Sequence, residues 1–312
     1  MALRAGVPLR DMAFVQFHPT ALHTGEPGQA FLISEAVRGA GARLLRHDGT
    51  PLMEDVHPMG DLAPRHVVAH TLHQELVRSG RPHAWLDAGP IGMARFALEF
   101  PAIDRWCEER GLVPGRDRLP VAPAAHYLCG GIATDGAGRT ALPGLLALGE
   151  CAGTGMHGAD RLASNSLLEA LVVPGHAVQA LRARPLPQHA LPADREVGVK
   201  LSRQDPESVD QLLAALHHAM ITHVGLERTT EGLRTALRSI ARCERHLRTI
   251  WLRRRWGIRV VDLRDLLATA RAITEAALEE PVPVGAHFRH DDRPARKERR
   301  AVHDHSLTTA IR

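Results

Sequence analysis

HYLCGGIATDGAGRTALPGLLALGECAGTGMHGADRLASNSLLE, residues 126–169, packs nine glycines, two histidines, two arginines and the chain's single tyrosine into one stretch. Glycine at that density marks backbone that turns sharply or lies close against a neighbour or ligand. Charged and imidazole side chains inside such backbone point to a site. The pattern predicts a strand over 127–133, a hairpin at ATDGAGRT and a second strand at LLALGE. A helix follows from Ser166, with Ser166 and Glu169 spaced as a capping box and Pro174 expected to break it. Gly153, Gly155 and Gly158 spell G-x-G-x-x-G, the dinucleotide fingerprint. Its context is wrong: Glu150, Cys151 and Ala152 separate it from the strand, and the helix starts well after the third glycine. No acid stands about 20 residues further on, so the fingerprint is set aside.

Upstream, AFVQFHPTAL reads as a strand over 13–17 whose end projects His18, held extended by Pro19. Residues 31–46 begin as a helix that Gly39 and Gly41 stop, and Asp48-Gly49 is a turn. Residues 62–80 form a helix, with Pro64 in its first turn and Gly80 at its end. It carries His66, His70 and His73 on one face, a spacing that could hold a metal; no second cluster supplies further ligands, so no metal is expected. Arg65 stands in the first turn, against the helix dipole, a modest pointer to function. Residues 91–111 read as one more helix, followed by the proline-rich LPVAPAAHYL. Downstream, 182–206 is a linker, and helices at about 208–222, 229–254 and 262–279 make a small antiparallel bundle. The tail after 290 has no apolar period and is expected to be disordered.

With 312 residues, 44% hydrophobic and 24% charged, the composition is that of a soluble protein of roughly two domains. No apolar run reaches the roughly 18 residues a membrane span needs, and the reading is cytoplasmic. The four cysteines form no C-x-x-C pair, which argues against a disulfide framework or zinc ribbon. Only two lysines occur, and the pI near 9.2 comes without any nucleic-acid signature.

Six blocks in order carry a resemblance: QFHPTAL (16–22), SEAVRGAGA (34–42), DLAPRHVVA (61–69), AAHYLCGGI (124–132), LGECAGTGMHGADRLASNSLLE (148–169) and VGLERT (224–229). Together they resemble the L-aspartate oxidase family, within the superfamily of succinate dehydrogenase and fumarate reductase flavoproteins. The resemblance implies a flavin-binding α/β domain interrupted by an α+β capping domain and followed by a C-terminal helical bundle. Residues 1–13 would end the first flavin segment, 14–127 the substrate cap, 128–185 the returning flavin segment, 186–206 a linker, 207–290 the bundle and 291–312 a flexible tail. It implies FAD as cofactor and oxidation of L-aspartate to iminoaspartate by hydride transfer to the flavin. Oxygen or fumarate would reoxidise the flavin, in NAD biosynthesis, with quinolinate synthase as a candidate partner. His18, His126 and Arg161 match the carboxylate-binding positions, and Gln16 and Ser34 neighbouring polar contacts, although the family usually has threonine at the latter. Arg65 matches a proton-shuttling arginine. Glu150 matches an acid that binds a flavin hydroxyl, and Ser166 and Leu167 match residues against the isoalloxazine ring.

The chain departs from the pattern at Leu128, at Pro174, in EEPVPVGAHFR (279–289), and in lacking a strand–glycine fingerprint near Met1. The expectation is therefore a C-terminal part of such an enzyme, retaining little FAD alone. The alternatives are an inactive remnant, a split subunit needing a separate FAD-binding chain, and a fumarate reductase or succinate dehydrogenase-type flavoprotein.

Overall fold

The computed structural model describes residues 1–25, 30–183, 206–252 and 257–290. After a short strand, β1 (Leu9–Arg10), the chain enters β2 (Val15–Leu22), then β3 (Phe31–Leu32), α1 (Glu35–Gly39) and β4 (Arg43–Leu45). Helix α2 (Arg65–Ser79), β5 (Ala84–Asp87), α3 (Met93–Glu99), α4 (Pro101–Glu108) and β6 (Leu119–Leu128) complete this part. Five strands form one antiparallel sheet in the order β3-β2-β6-β5-β4. Its core joins Ile33, Leu44, Leu52, Leu72, Leu86, Phe96 and Leu119, all essentially buried.

Several local expectations change. Strand β2 runs on through His18-Pro19 to Leu22, and the proline-rich stretch is strand β6. The register slips between His18 and Ala21, where the pairs are His18↔Ala124 and Ala21↔Ala122. Pro19 and Pro123 both fall inside that irregularity, so their missing N–H groups break no ladder bond. Phe31–Leu32 pairs with β2 instead of starting a helix; cross-strand pairing overrides local propensity there. The single helix expected over 91–111 is two, because Pro101 opens α4 and cannot continue α3. Helix α2 starts after Pro64 and ends at Gly80, whose φ of 66° is left-handed, as its flanking residues dictate.

Next come β7 (Gly131–Ala133), β8 (Ala152–Gly153) and α5 (Asn165–Ala183). The sheet β1-β7-β8 pairs residues far apart in sequence. Much of the glycine content serves this contact. A Cβ on Gly130 would collide with the Arg10 carbonyl, and one on Gly131 would stand 2.5 Å from that of Cys151. LLALGE forms no regular strand but a single bridge, Arg139↔Leu146, and a 3-10 turn at Gly149–Cys151. The helix begins at Asn165 and passes through Pro174. The carbonyl freed by that proline belongs to Ala170, an exposed residue that water can reach. Glu169 is not a capping partner; it turns inward to His157.

The C-terminal part is α6 (Pro206–His223), β9 (Glu227–Arg228), α7 (Thr230–Leu252), α8 (Ile258–Glu279) and β10 (Phe288–Arg289). The helices pack around Leu216, Ile240, Leu247, Leu263 and Leu267, as three amphipathic segments with short connections should. The expected linker at 186–206, save Pro206, and the tail at 291–312 lie outside the described residues. Arg228, from the VGLERT block, is 1% exposed. Its Nη1 donates to the Ala13 carbonyl at 2.7 Å and lies 2.7 Å from His287 Nδ1, and its Nε donates to the Gly225 carbonyl at 3.0 Å. Burial lowers this guanidinium to about 10. Arg228→Ala is expected to lower unfolding free energy by about 2 kcal/mol or more, since buried carbonyls lose their donors. Urea unfolding checks this.

Candidate active site

The antiparallel pairing of β2 with β6 sets Gln16 opposite Tyr127, next to His126. The first residue of α2, Arg65, and the loop before α5, with Asp160 and Arg161, close around them. His18 is 3% and Arg161 5% exposed. The His18 and His126 rings meet edge to face at 5.3 Å. Arg161 Nη2 donates to His126 Nε2 at 3.1 Å, and its Nη1 reaches the Ser166 hydroxyl at 3.4 Å. The guanidinium also stacks 4.2 Å over the Tyr127 ring. Its Nε is buried without a hydrogen-bond partner, and none of its hydrogen-bond partners is a carboxylate.

Arg65 lies beside this group. Its Nε donates to Glu35 at 2.7 Å and its Nη1 to Gln16 Oε1 at 3.2 Å. Glu35 in turn stands 3.9 Å from Arg38, whose Nη1 donates to the Asp61 carbonyl. Arg65, Glu35 and Arg38 therefore form a file running from the site into the protein. Ser34, one residue before Glu35, caps α1 by accepting from the Ala36 amide at 3.2 Å.

The charge in this cluster sits on guanidinium groups. Burial, and then Arg65 and His126, push His18 down to about 3; burial and Arg161 push His126 down to about 4. Burial and Arg65 also lower Arg161. Both imidazoles are neutral at pH 7. His18 Nδ1 accepts from the Thr20 amide at 3.2 Å, which leaves its Nε2–H as a donor. His126 Nε2 accepts from Arg161, leaving Nδ1–H. The cluster thus offers neutral and cationic donors together, the complement of carboxylates.

These imidazoles make stability depend on pH. Their folded values lie below the unfolded 6.5, so the unfolded chain binds protons first as pH falls. Stability is full above about pH 6.5 and declines as pH drops towards 3. For His18 the slope is about 1.4 kcal/mol per pH unit in that window. Thermal melts should show a lower midpoint at pH 5 than at pH 7, and His18→Gln should flatten the dependence.

Behind Arg161 lies a second network. Glu169, with its side chain 1% exposed, accepts from Thr154 Oγ1 and meets His157 Nε2 at 2.8 Å. His157 packs edge to face on Tyr127 at 5.5 Å, and burial, then Glu169, raises the phenol to about 12. On the outer side, Glu150 is exposed and accepts from the Leu128 amide at 3.3 Å. Leu167 is 68% exposed and follows Ser166 in the first turn of α5. Glu150 and Leu167 are therefore exposed, while part-buried Ser166 is tied to Arg161 through its hydroxyl. The structure also engages Glu35, Arg38, Tyr127 and Asp160, which the sequence did not single out as site residues, and His66, which it raised only as a metal ligand. The α2 histidines have separate partners: His66 meets Asp160 at 2.6 Å and His70 meets Glu227 at 2.9 Å. Among the described residues no group of three or more His, Cys, Asp or Glu side chains could hold a metal ion. No described helix is long and apolar enough to cross a membrane.

A family model described as FAD binding domain matches residues 1–167, and one described as Fumarate reductase flavoprotein C-term matches residues 213–311. The chain is 42% identical over 292 residues to an L-aspartate oxidase of Mycobacterium leprae, an alignment covering 92% of this chain and 52% of that protein. It is 40% identical over 307 residues to an L-aspartate oxidase of Halobacterium salinarum, covering 97% and 57%. A variant of E. coli quinol fumarate reductase superposes with a TM-score of 0.76 at 29% identity, covering 94% of this chain and 55% of that one. The chain spans about half the length of the curated relatives it matches. With the first model matching more than half of its 312 residues, the chain belongs to the FAD binding domain family, within the succinate dehydrogenase and fumarate reductase flavoprotein superfamily, whose cofactor is FAD.

Proposed function

We propose that this chain supplies the dicarboxylate-holding part of a flavin-dependent L-aspartate oxidase. One observation carries the reading: Arg161 is buried beside two neutral imidazoles and keeps an unpartnered Nε. A buried guanidinium without a carboxylate partner is expensive, and an anionic substrate would complete it. His18 and His126 donate to the substrate's carboxylates alongside Arg161. Arg65 is assigned the handling of a proton, and its bonds to Glu35 and Gln16 beside the cluster support that role.

Exposed apolar side chains beside the cluster support a place for a flavin ring. Leu162, Leu167 and Leu168 are exposed next to Arg161 and Ser166, and we assign Glu150, Ser166 and Leu167 to FAD. When bound, FAD supplies the hydride acceptor. The chain's own residues orient the dicarboxylate and, with the apolar strip, exclude water from it. In this proposal the cap is 14–127, the returning flavin segment 128–185 and the bundle 207–290.

L-Aspartate should be turned over by the flavin-loaded protein, with oxygen or fumarate as acceptor. Turnover of succinate without L-aspartate would contradict the reading and favour the fumarate reductase type. A second reading rests on α5, which leaves Leu168, Leu171, Val172 and Val178 exposed. Here the chain works only with a flavin-binding segment lying on that face. The visible flavin spectrum of the purified chain separates the two: a stoichiometric flavoprotein contradicts the second reading.

A further inference from the structure

Asp160 precedes Arg161, and its carboxylate gathers three separate pieces of the fold. Oδ1 accepts from Gln16 Nε2 on β2 at 2.6 Å, and Oδ2 meets His66 Nδ1 on α2 at 2.6 Å. Gln16 is fully buried, with both amide hydrogens and the oxygen engaged. Besides Asp160, Nε2 donates to the Arg161 carbonyl at 2.7 Å, while Oε1 accepts from Arg65 Nη1 at 3.2 Å. Only one orientation of this amide satisfies all three neighbours. A flipped Gln16 would turn its NH2 on the Arg65 guanidinium and its oxygen on two acceptors. Hydrogen bonding to His66 and Gln16 holds the Asp160 carboxyl below its ordinary value although burial opposes this, so it remains an acceptor.

We propose that Asp160 is a positioning residue for Arg65. It fixes the Gln16 amide, which presents Oε1 to the guanidinium, and it holds His66, the next residue on α2. Arg65 is thereby tied on one side through Gln16 to Asp160 and on the other to Glu35. The proposal rests on the reading of Arg65 as the proton-handling group, and it names what aims that group.

The test compares kcat for fumarate reduction with kcat for aspartate oxidation in the flavin-loaded protein, with Tm and flavin content recorded for each variant. Asp160→Ala is expected to lower fumarate reduction about tenfold, in kcat more than KM, and aspartate oxidation much less. Asp160→Asn, which keeps an oxygen for Gln16, should lose less, and it replaces the alanine variant if that fails to fold. Asp160→Ala combined with Arg65→Ala should cost nothing beyond Arg65→Ala alone. A further loss in the double variant, or equal losses of both reactions in Asp160→Ala while Arg65→Ala remains selective, would overturn the proposal. If Arg65→Ala itself lowers both reactions equally, the proton-handling reading fails, and the additivity of the two substitutions still decides whether Asp160 acts through Arg65.

Discussion

Arg161→Ala is expected to weaken dicarboxylate binding by roughly a hundredfold or more, the usual consequence of removing a buried charged donor from a paired carboxylate. Four features support Arg161 as the dominant contact in this proposal. It is 5% exposed, it stacks on Tyr127, it donates to His126, and its Nε is buried without a hydrogen-bond partner. Arg161→Lys should recover little, because an ammonium has neither the two-pronged donor geometry nor the flat face that lies on Tyr127. Calorimetric titration of the flavin-loaded protein with an unreactive dicarboxylate measures the effect. Unchanged affinity in Arg161→Ala would remove Arg161 from the site.

The second large effect belongs to Arg65. Arg65→Ala should lower fumarate reduction by about a hundredfold to ten-thousandfold, the range spanned by general acid catalysis. Aspartate oxidation should fall far less, because Arg161, His18 and His126, the proposed carboxylate donors, are unchanged. Its placement supports this division: Arg65 bonds Glu35 and Gln16, whereas Arg161 makes the His126 contact. Parallel assays of the two reactions check it, and equal losses would contradict the shuttle role.

The sequence disclosed the candidate site residues unevenly. His18, His126, Arg161 and Arg65 were legible as candidates because six blocks in order resemble a known family, not because of any local pattern. Helix α2 was legible locally, since Pro64 and Gly80 punctuate it. Strand β6 was hidden because its prolines mimic a loop, and only the bulge opposite Pro19 makes Pro123 compatible with a sheet. The glycine run invited a ligand interpretation at every position, but Gly130 and Gly131 are required by backbone packed against backbone. Asp160 and Glu35 were invisible for a different reason. Their partners His66 and Arg65 lie 94 and 30 residues away, a pairing no short window contains.

The most direct measurement is anaerobic mixing of the flavin-loaded protein with L-aspartate while following the oxidised-flavin absorbance. A saturable, aspartate-dependent loss of that absorbance is predicted, with Arg161→Ala requiring at least about a hundredfold more aspartate for half-maximal effect. Absorbance indifferent to L-aspartate at any concentration, or identical titrations for Arg161→Ala and the unaltered chain, would contradict it.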